Sequence, residues 1–216
     1  MSYEGLRLRV LKKIRLLFAK SRNKKLINKE FTIISNNCWG GMIYESYNLP
    51  KMSPTVGLFF MADDFIRFCS DIKRYTSAEL TFIPPESSKY ADDLKKMGVF
   101  GKFPIGVIDD IQVMFLHYHS EQEAKEKWKR RCSRINLDKL IVKFNDQNGC
   151  CEEHARAFAA MPFEHKLFFT VHDWGVNKWD GYYKIKQHTK DDFVTASHEP
   201  LVKNRYVDLT KLINGL

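Results

Sequence analysis

Residues 31–41 read FTIISNNCWGG: a short, β-rich apolar run that stops in two asparagines, a cysteine, a tryptophan and two glycines. Open α/β sheets bind ligands at such strand ends, because the backbone turns sharply there and polar side chains and free N–H groups face a crevice. The stretch marks both a strand and a place to look for a site.

Downstream of it, strand-like and helix-like segments alternate. GGMIYESY reads as a short helix closed by Pro50, TVGLFF as a second strand, and DDFIRFCSDIKRY as one helix with Phe65, Phe68, Cys69 and Ile72 at helical spacing. ELTFI is a strand before the Pro84-Pro85 break, and IGVIDDIQVMFLHY reads as two antiparallel strands around an Asp-Asp turn. Ser120 and Glu123 have capping-box spacing at the start of a helix that runs through AKEKWKRRCSRI, with Asn136 placed for a left-handed cap at its end. KLIVKF, EEHARAFAAM and KLFFTVH continue as strand, helix and strand; YYKIK gives an edge strand and VDLTKLI a closing helix. This alternation predicts a three-layer α/β/α fold with a mixed, mostly parallel sheet.

Upstream lies the charge. The chain carries a formal +9, but ten of its 35 Lys and Arg and only one of its 26 acids fall in residues 1–29, leaving 25 of each sign in the remainder. A neutral body lacks the broad basic face expected for duplex binding, so nucleic acid is not the expected partner. Read as a helix, the arm places Leu6, Val10, Leu11, Ile14, Leu17 and Phe18 on one arc, with Leu8 and Leu16 outside it. Three readings stand, in this order: a helix docked on the body with its bases solvated, a basic amphipathic segment on an anionic membrane surface, and an arm that contacts nucleic acid. Lys12, Lys13 and Arg15 interrupt the apolar residues, against both a signal peptide and a transmembrane span. The expected organisation is therefore an arm at 1–29 and a single domain at 30–216, large enough for one core. Five cysteines with no C-x-x-C pair fit reduced thiols in a cytoplasmic protein, peripheral to the membrane if the arm binds it.

Polar residues follow nearly every strand: Asn36, Asn37 and Cys38; Asp63 and Asp64; His117 and His119; Asn145 and Asp146; His172, Asp173 and Trp174. If most of the strands are parallel, these groups converge at one edge. Cys38 is a candidate thiolate nucleophile with His117 or His119 as base, or else a small buried thiol. Two residues apart in a strand, the histidines would face one way and suit a metal with Asp146 or Asp173; hydrogen-bonded turn residues are the expected reading, and no metal is expected. Asp63-Asp64 fits either a helix cap or the acidic pair by which many glycosyltransferases hold a cation on a sugar diphosphate. The turn through Trp39, Gly40 and Gly41 can offer N–H groups to an anion, although neither familiar phosphate-loop pattern occurs. Trp39, Trp174 and Trp179 can stack on sugar rings or pack in the core. Trp128, Arg131 and Arg134 form a stripe on one helix, and its arginines fit a phosphate, a carboxylate ligand or a neighbouring acid.

Together, IISNNCWGG, GLFF with DDFIRF, PIGVIDDIQVMFLHY through EAKEKWKRRCSRIN, and VKFNDQNGCCEEHARAF resemble the bacterial family called domain of unknown function 1919. The likeness covers roughly residues 30–214 and leaves the basic arm outside it. Members are often labelled exopolysaccharide biosynthesis proteins, so the resemblance implies a compact α/β domain in a surface-polysaccharide setting. It singles out Asn36, Asn37, Cys38, Trp39, Gly40, His117, Tyr118, Trp128, Arg131, Arg134, Asn136, Asn145 and Asp146 without assigning them roles. The function expected is a transferase acting on an activated sugar or a surface-polysaccharide precursor. Asn36, Asn37 and the glycine turn would hold phosphate or hydroxyls, His117 or His119 would act as base, and Asp146 or Asp173 would orient it. The alternative is a noncatalytic accessory of polysaccharide assembly at the membrane. No cofactor is indicated.

Overall fold

FTIIS forms strand β1 (Thr32–Ser35) in the computed structural model, which describes residues 3–176, 178–186, 192–196 and 206–216. After it come β2 (Leu80–Ile83), β3 (Ile105–Ile108), β4 (Ile111–Met114), β5 (Leu140–Asn145), β6 (His165–Thr170) and β7 (Tyr182–Lys184). Four of these form a sheet in the order β1-β5-β6-β7, with every pairing parallel; YYKIK supplies its edge. The expected antiparallel pair is present as a hairpin, but β2, β3 and β4 make a sheet of their own. The α/β class therefore holds, with the antiparallel strands beside the parallel sheet.

Residues on the parallel strands alternate between two buried faces. Ile34, Val142, Phe144 and Phe168 point into one core, where they meet α4 (Ala62–Ser70), α7 (Glu121–Cys132) and α8 (Glu152–Ala160). Ile33, Ile141, Leu167 and Phe169 point into the other, under α3 (Trp39–Ser46) and α9 (Leu209–Asn214). Helices thus cover both sides, and apolar residues fill both strand faces, as parallel sheets require. α5 (Ile72–Ser77) and α6 (Ala91–Lys96) complete the described body; α6, with Leu94 as its single buried residue, gave no periodic signal to read.

Three expected elements differ. TVGLFF is not a strand: residues 54–57 turn, with Gly57 in the left-handed region at φ 82°, where a side chain would be strained. Beyond the turn the chain makes one bridge, Phe59 to Met114, while the Phe60 N–H donates to the Asn36 carbonyl at 3.0 Å, coupling the two sheets. FLHY does not extend β4, because its partner runs out at Pro104 and the chain turns, Tyr118 N–H donating to the Phe115 carbonyl. His117 and His119 therefore do not share a strand face. The helix expected over DDFIRFCSDIKRY breaks at Asp71, whose carboxylate caps α5 at the Arg74 N–H.

The arm is helical as α1 (Tyr3–Leu17) and α2 (Ala19–Asn23). Its attachments are mostly polar and lie at its C-terminal end. Arg22 donates to the Arg15 and Ser46 carbonyls, Asn23 donates to the Tyr47 carbonyl, and Arg15 pairs with Glu45 at 3.6 Å. Ala19 and Leu26 are buried, yet Leu6, Val10, Leu11, Ile14, Leu17 and Phe18 are 43–78% exposed. Among the described residues, no helix is long and apolar enough to cross a membrane.

Candidate functional site

At the carboxyl end of β1 the chain turns through SNNC on its own side chains. Ser35 Oγ donates to the Asn37 carbonyl and accepts from the Gly40 N–H, while Asn37 Oδ1 accepts from the Trp39 N–H. The Trp39 and Gly40 N–H groups are thus satisfied within the turn, so these two of the three expected donors are already taken. Asn36 donates to Asn145 Oδ1 at 2.8 Å, and Lys143 donates to Asn37 Oδ1 at 3.1 Å. The Lys143 ammonium is fully buried between the Trp39 and Phe169 rings, near 6 Å from each. Asn36, Asn37, Lys143 and Asn145 thus converge at the strand ends as a buried polar network.

Asp146 belongs beside this network. Its two oxygens accept from the Val171 and Val194 N–H groups at 2.7 and 2.6 Å, and burial raises its pKa. That geometry makes Asp146 a latch between β5 and the segment after β6. Asp146→Ala leaves the buried Val194 N–H and the half-buried Val171 N–H without this acceptor and is expected to cost about 2–6 kcal/mol at roughly 1–3 kcal/mol for each. Urea unfolding of the variant checks this; a loss under about 1 kcal/mol would show that the latch bears little load.

The open space lies one residue further on. A cavity of about 480 Å³ is bounded by α1, α3, the 54–57 turn and α7, and Cys38, Gly41, Val56, Gly57, His117, Tyr118 and Arg131 line it. Gly41 is required by close approach, since a Cβ there would sit 2.9 Å from Val56. The His117 N–H donates to the Gly57 carbonyl at 2.9 Å, fastening the two turns that carry the wall. Trp128 and Ala124 anchor α7 in the core, which directs Arg131, on the same stripe, to the cavity. Five bases, Lys12, Arg15, Lys51, Lys127 and Arg131, line the space against one acid, Glu45.

The arginines carry the electrostatics. Arg131 is 7% exposed and donates to the Val56 carbonyl at 2.8 Å and to the Tyr118 hydroxyl, which itself donates to Val56 at 2.6 Å. It has no carboxylate partner among the described residues. Arg15 Nε is buried with no hydrogen-bond partner among them. A buried cation without a carboxylate, as at Arg131, and a buried N–H without an acceptor, as at Arg15, are both costly, and an anion in the cavity would compensate both although Glu45 already pairs with Arg15. Burial, Lys51 and Lys12 lower the His117 pKa against a smaller opposing pull from Glu45, so its imidazole is neutral at pH 7.

Several candidates lie elsewhere. His119 is exposed and gives its N–H to Glu123, whose own N–H donates to Ser120, so the capping spacing works with one partner shifted by a residue. Asp173 is paired with Lys178 and Lys184, and exposed Arg134 is not in the cavity wall. Trp39 is fully buried; Trp174 stacks on His172 at 4.7 Å and Trp179 packs on Phe158. Asp63 and Asp64 cap nothing: Asp63 bonds His154, and buried Asp64 holds Lys89 and the Gln112 N–H. Asn136 is not left-handed; its Oδ1 accepts from the Asp138 and Lys139 N–H groups. Among the described residues no group of three or more His, Cys, Asp or Glu is gathered as a metal would need. Lys12, Arg15, Lys51 and Lys127 escaped the sequence reading, since no fixed spacing links an arm, a loop and a helix face.

The family model for the domain of unknown function DUF1919 matches residues 10–214. The chain belongs to this family. The match starts inside α1, so most of the arm lies within the DUF1919 pattern, further upstream than the likeness over 30–214 reached. An uncharacterized protein of Haemophilus influenzae is 34% identical over 168 residues, covering 78% of this chain and 75% of that relative. Cys38, His117 and Arg131, which share the cavity of this DUF1919 protein, fall among the positions its resemblance to the family singled out.

Proposed function

We propose that this DUF1919 protein is a sugar transferase whose cavity holds the phosphate of an activated sugar or surface-polysaccharide precursor. The observation that carries the reading is a pair of arginines, buried Arg131 without a carboxylate and Arg15 with a buried, unpaired Nε, facing one cavity with a neutral histidine. Phosphate esters suit this arrangement, because guanidinium groups bind them through several charge-assisted hydrogen bonds.

The neutral His117 takes the proton of an acceptor hydroxyl while that oxygen bonds to the sugar carbon. The carbon–oxygen bond to phosphate breaks, and the departing phosphate keeps the electron pair, stabilised by the surrounding cations. Cys38 stands in the same wall, and Cys38→Ser separates thiol chemistry from this route: activity that survives it needs no thiolate.

A thermal-shift titration with UDP-glucose, against glucose alone, tests the reading. At 100 times its dissociation constant a ligand adds about 2.7 kcal/mol to stability. Stabilisation by the phosphorylated sugar alone is the expected result, and equal stabilisation by both, or by neither at millimolar concentration, contradicts it. A noncatalytic accessory role has one specific support, that His117 has no carboxylate within hydrogen-bond distance among the described residues to orient it. Binding without turnover would favour that role.

A further inference from the structure

Two features of the arm meet at the cavity. α1 and the residue after it carry an exposed apolar face formed by Leu6, Val10, Leu11, Ile14, Leu17 and Phe18, each at least 43% exposed, and Ile27 beyond them is 83% exposed. The same stretch of sequence, residues 1–29, holds the whole charge excess of the chain, ten bases to one acid. The same helix builds the cavity: Leu11, Lys12 and Arg15 are part of its wall, so Leu11 belongs to both surfaces. An anionic bilayer is the occupant that matches an apolar stripe set among bases, since neither property alone is satisfied by water or by the neutral body.

We propose that α1 lies in the surface of an anionic membrane and that the cavity receives the phosphate of a lipid-borne substrate. This rests on the phosphate reading of the cavity and chooses its source. A helix seated at the headgroup and acyl boundary brings the cavity mouth to headgroup level, where a lipid phosphate reaches Arg15 and Arg131 while its tail stays in the bilayer. Soluble phosphate compounds fill the same charge requirement without using the apolar face.

The full chain is tested with vesicles of phosphatidylglycerol and phosphatidylcholine, and with pure phosphatidylcholine. Two readouts are taken: cosedimentation, and the rate of Cys38 alkylation by iodoacetamide, followed by peptide mass spectrometry. The variant Leu17→Glu with Phe18→Glu changes two exposed side chains outside the cavity wall and spares the buried Ala19 and Leu26 that deletion of the arm would remove. Anionic vesicles should sediment the wild type and slow Cys38 alkylation at least about tenfold; the variant should lose both effects, and neutral vesicles should produce neither. Sedimentation unaffected by the variant, or sedimentation that leaves Cys38 as reactive as in buffer, overturns the proposal. UDP-glucose protection of Cys38 in the variant, measured in parallel, reports on the phosphate reading by itself, so either idea can fail alone.

Discussion

Arg131→Met is expected to cost ligand affinity far more than stability. Methionine fills the volume of the stem but removes the guanidinium, and with it the charge-assisted contacts to a bound phosphate. Those contacts are worth about 1.5–3 kcal/mol, or roughly 10- to 150-fold in affinity. Stability responds less, because two effects oppose. The variant loses the bonds to Val56 and Tyr118, yet it also relieves a buried charge that has no carboxylate partner among the described residues. The Val56 carbonyl stays satisfied by the Tyr118 hydroxyl. The net change should lie within about 1 kcal/mol. Urea unfolding together with a UDP-glucose titration separates the two quantities. Unchanged affinity would remove Arg131 from the binding site, and a stability loss above about 3 kcal/mol would make it a structural residue.

Phe144→Ala should be the most damaging core substitution. Phe144 is fully buried at the centre of the parallel sheet, with ring centroids 5.2 Å from Phe65, 5.4 Å from Phe158 and 5.5 Å from Phe168. It joins β5, β6, α4 and α8 in one cluster, so its removal leaves a cavity that four elements would have to close together. The expected cost is about 3–5 kcal/mol, a large part of the roughly 5–15 kcal/mol that separates a folded domain from its unfolded chain. Chemical denaturation with an unchanged slope would report it; a loss under about 1.5 kcal/mol would mean that the four elements do not pack as described.

The fold was legible where local chemistry and tertiary packing agree. Strands at 32–35, 140–145 and 165–170 are short apolar runs with turn residues behind them, and α8 ends where Pro162 stops it. It was misread where packing overrides composition. TVGLFF has strand residues, but the left-handed Gly57 turns the chain, and the remainder serves as a coupling between two sheets. Asp71 carries no apolar marker of a break, yet capping α5 interrupts what periodicity shows as one helix.

For the site, the NNC turn pointed to the right neighbourhood, and Cys38, His117 and Arg131 do share a cavity. Asn36, Asn37 and Asp146 sit at the strand ends too, but they are consumed by burial: their partners are Asn145, Lys143 and two backbone N–H groups. Nothing in KLIVKF marks Lys143 as the buried cation beneath that turn. A lysine inside a strand covered on both faces was the one available signal, and recognising it required knowing that both faces are covered. The cationic wall was illegible for a different reason, since α1, the segment at Lys51 and α7 meet only in space.

The phosphate reading requires an anion in the space beside His117. Burial and the neighbouring lysines hold that imidazole below its ordinary pKa, and a bound polyanion reverses the local field. Titration of the histidine side chains by NMR, with and without inorganic pyrophosphate, reads this directly. Pyrophosphate is expected to raise the His117 pKa. A His117 titration that stays the same at millimolar pyrophosphate would contradict the reading.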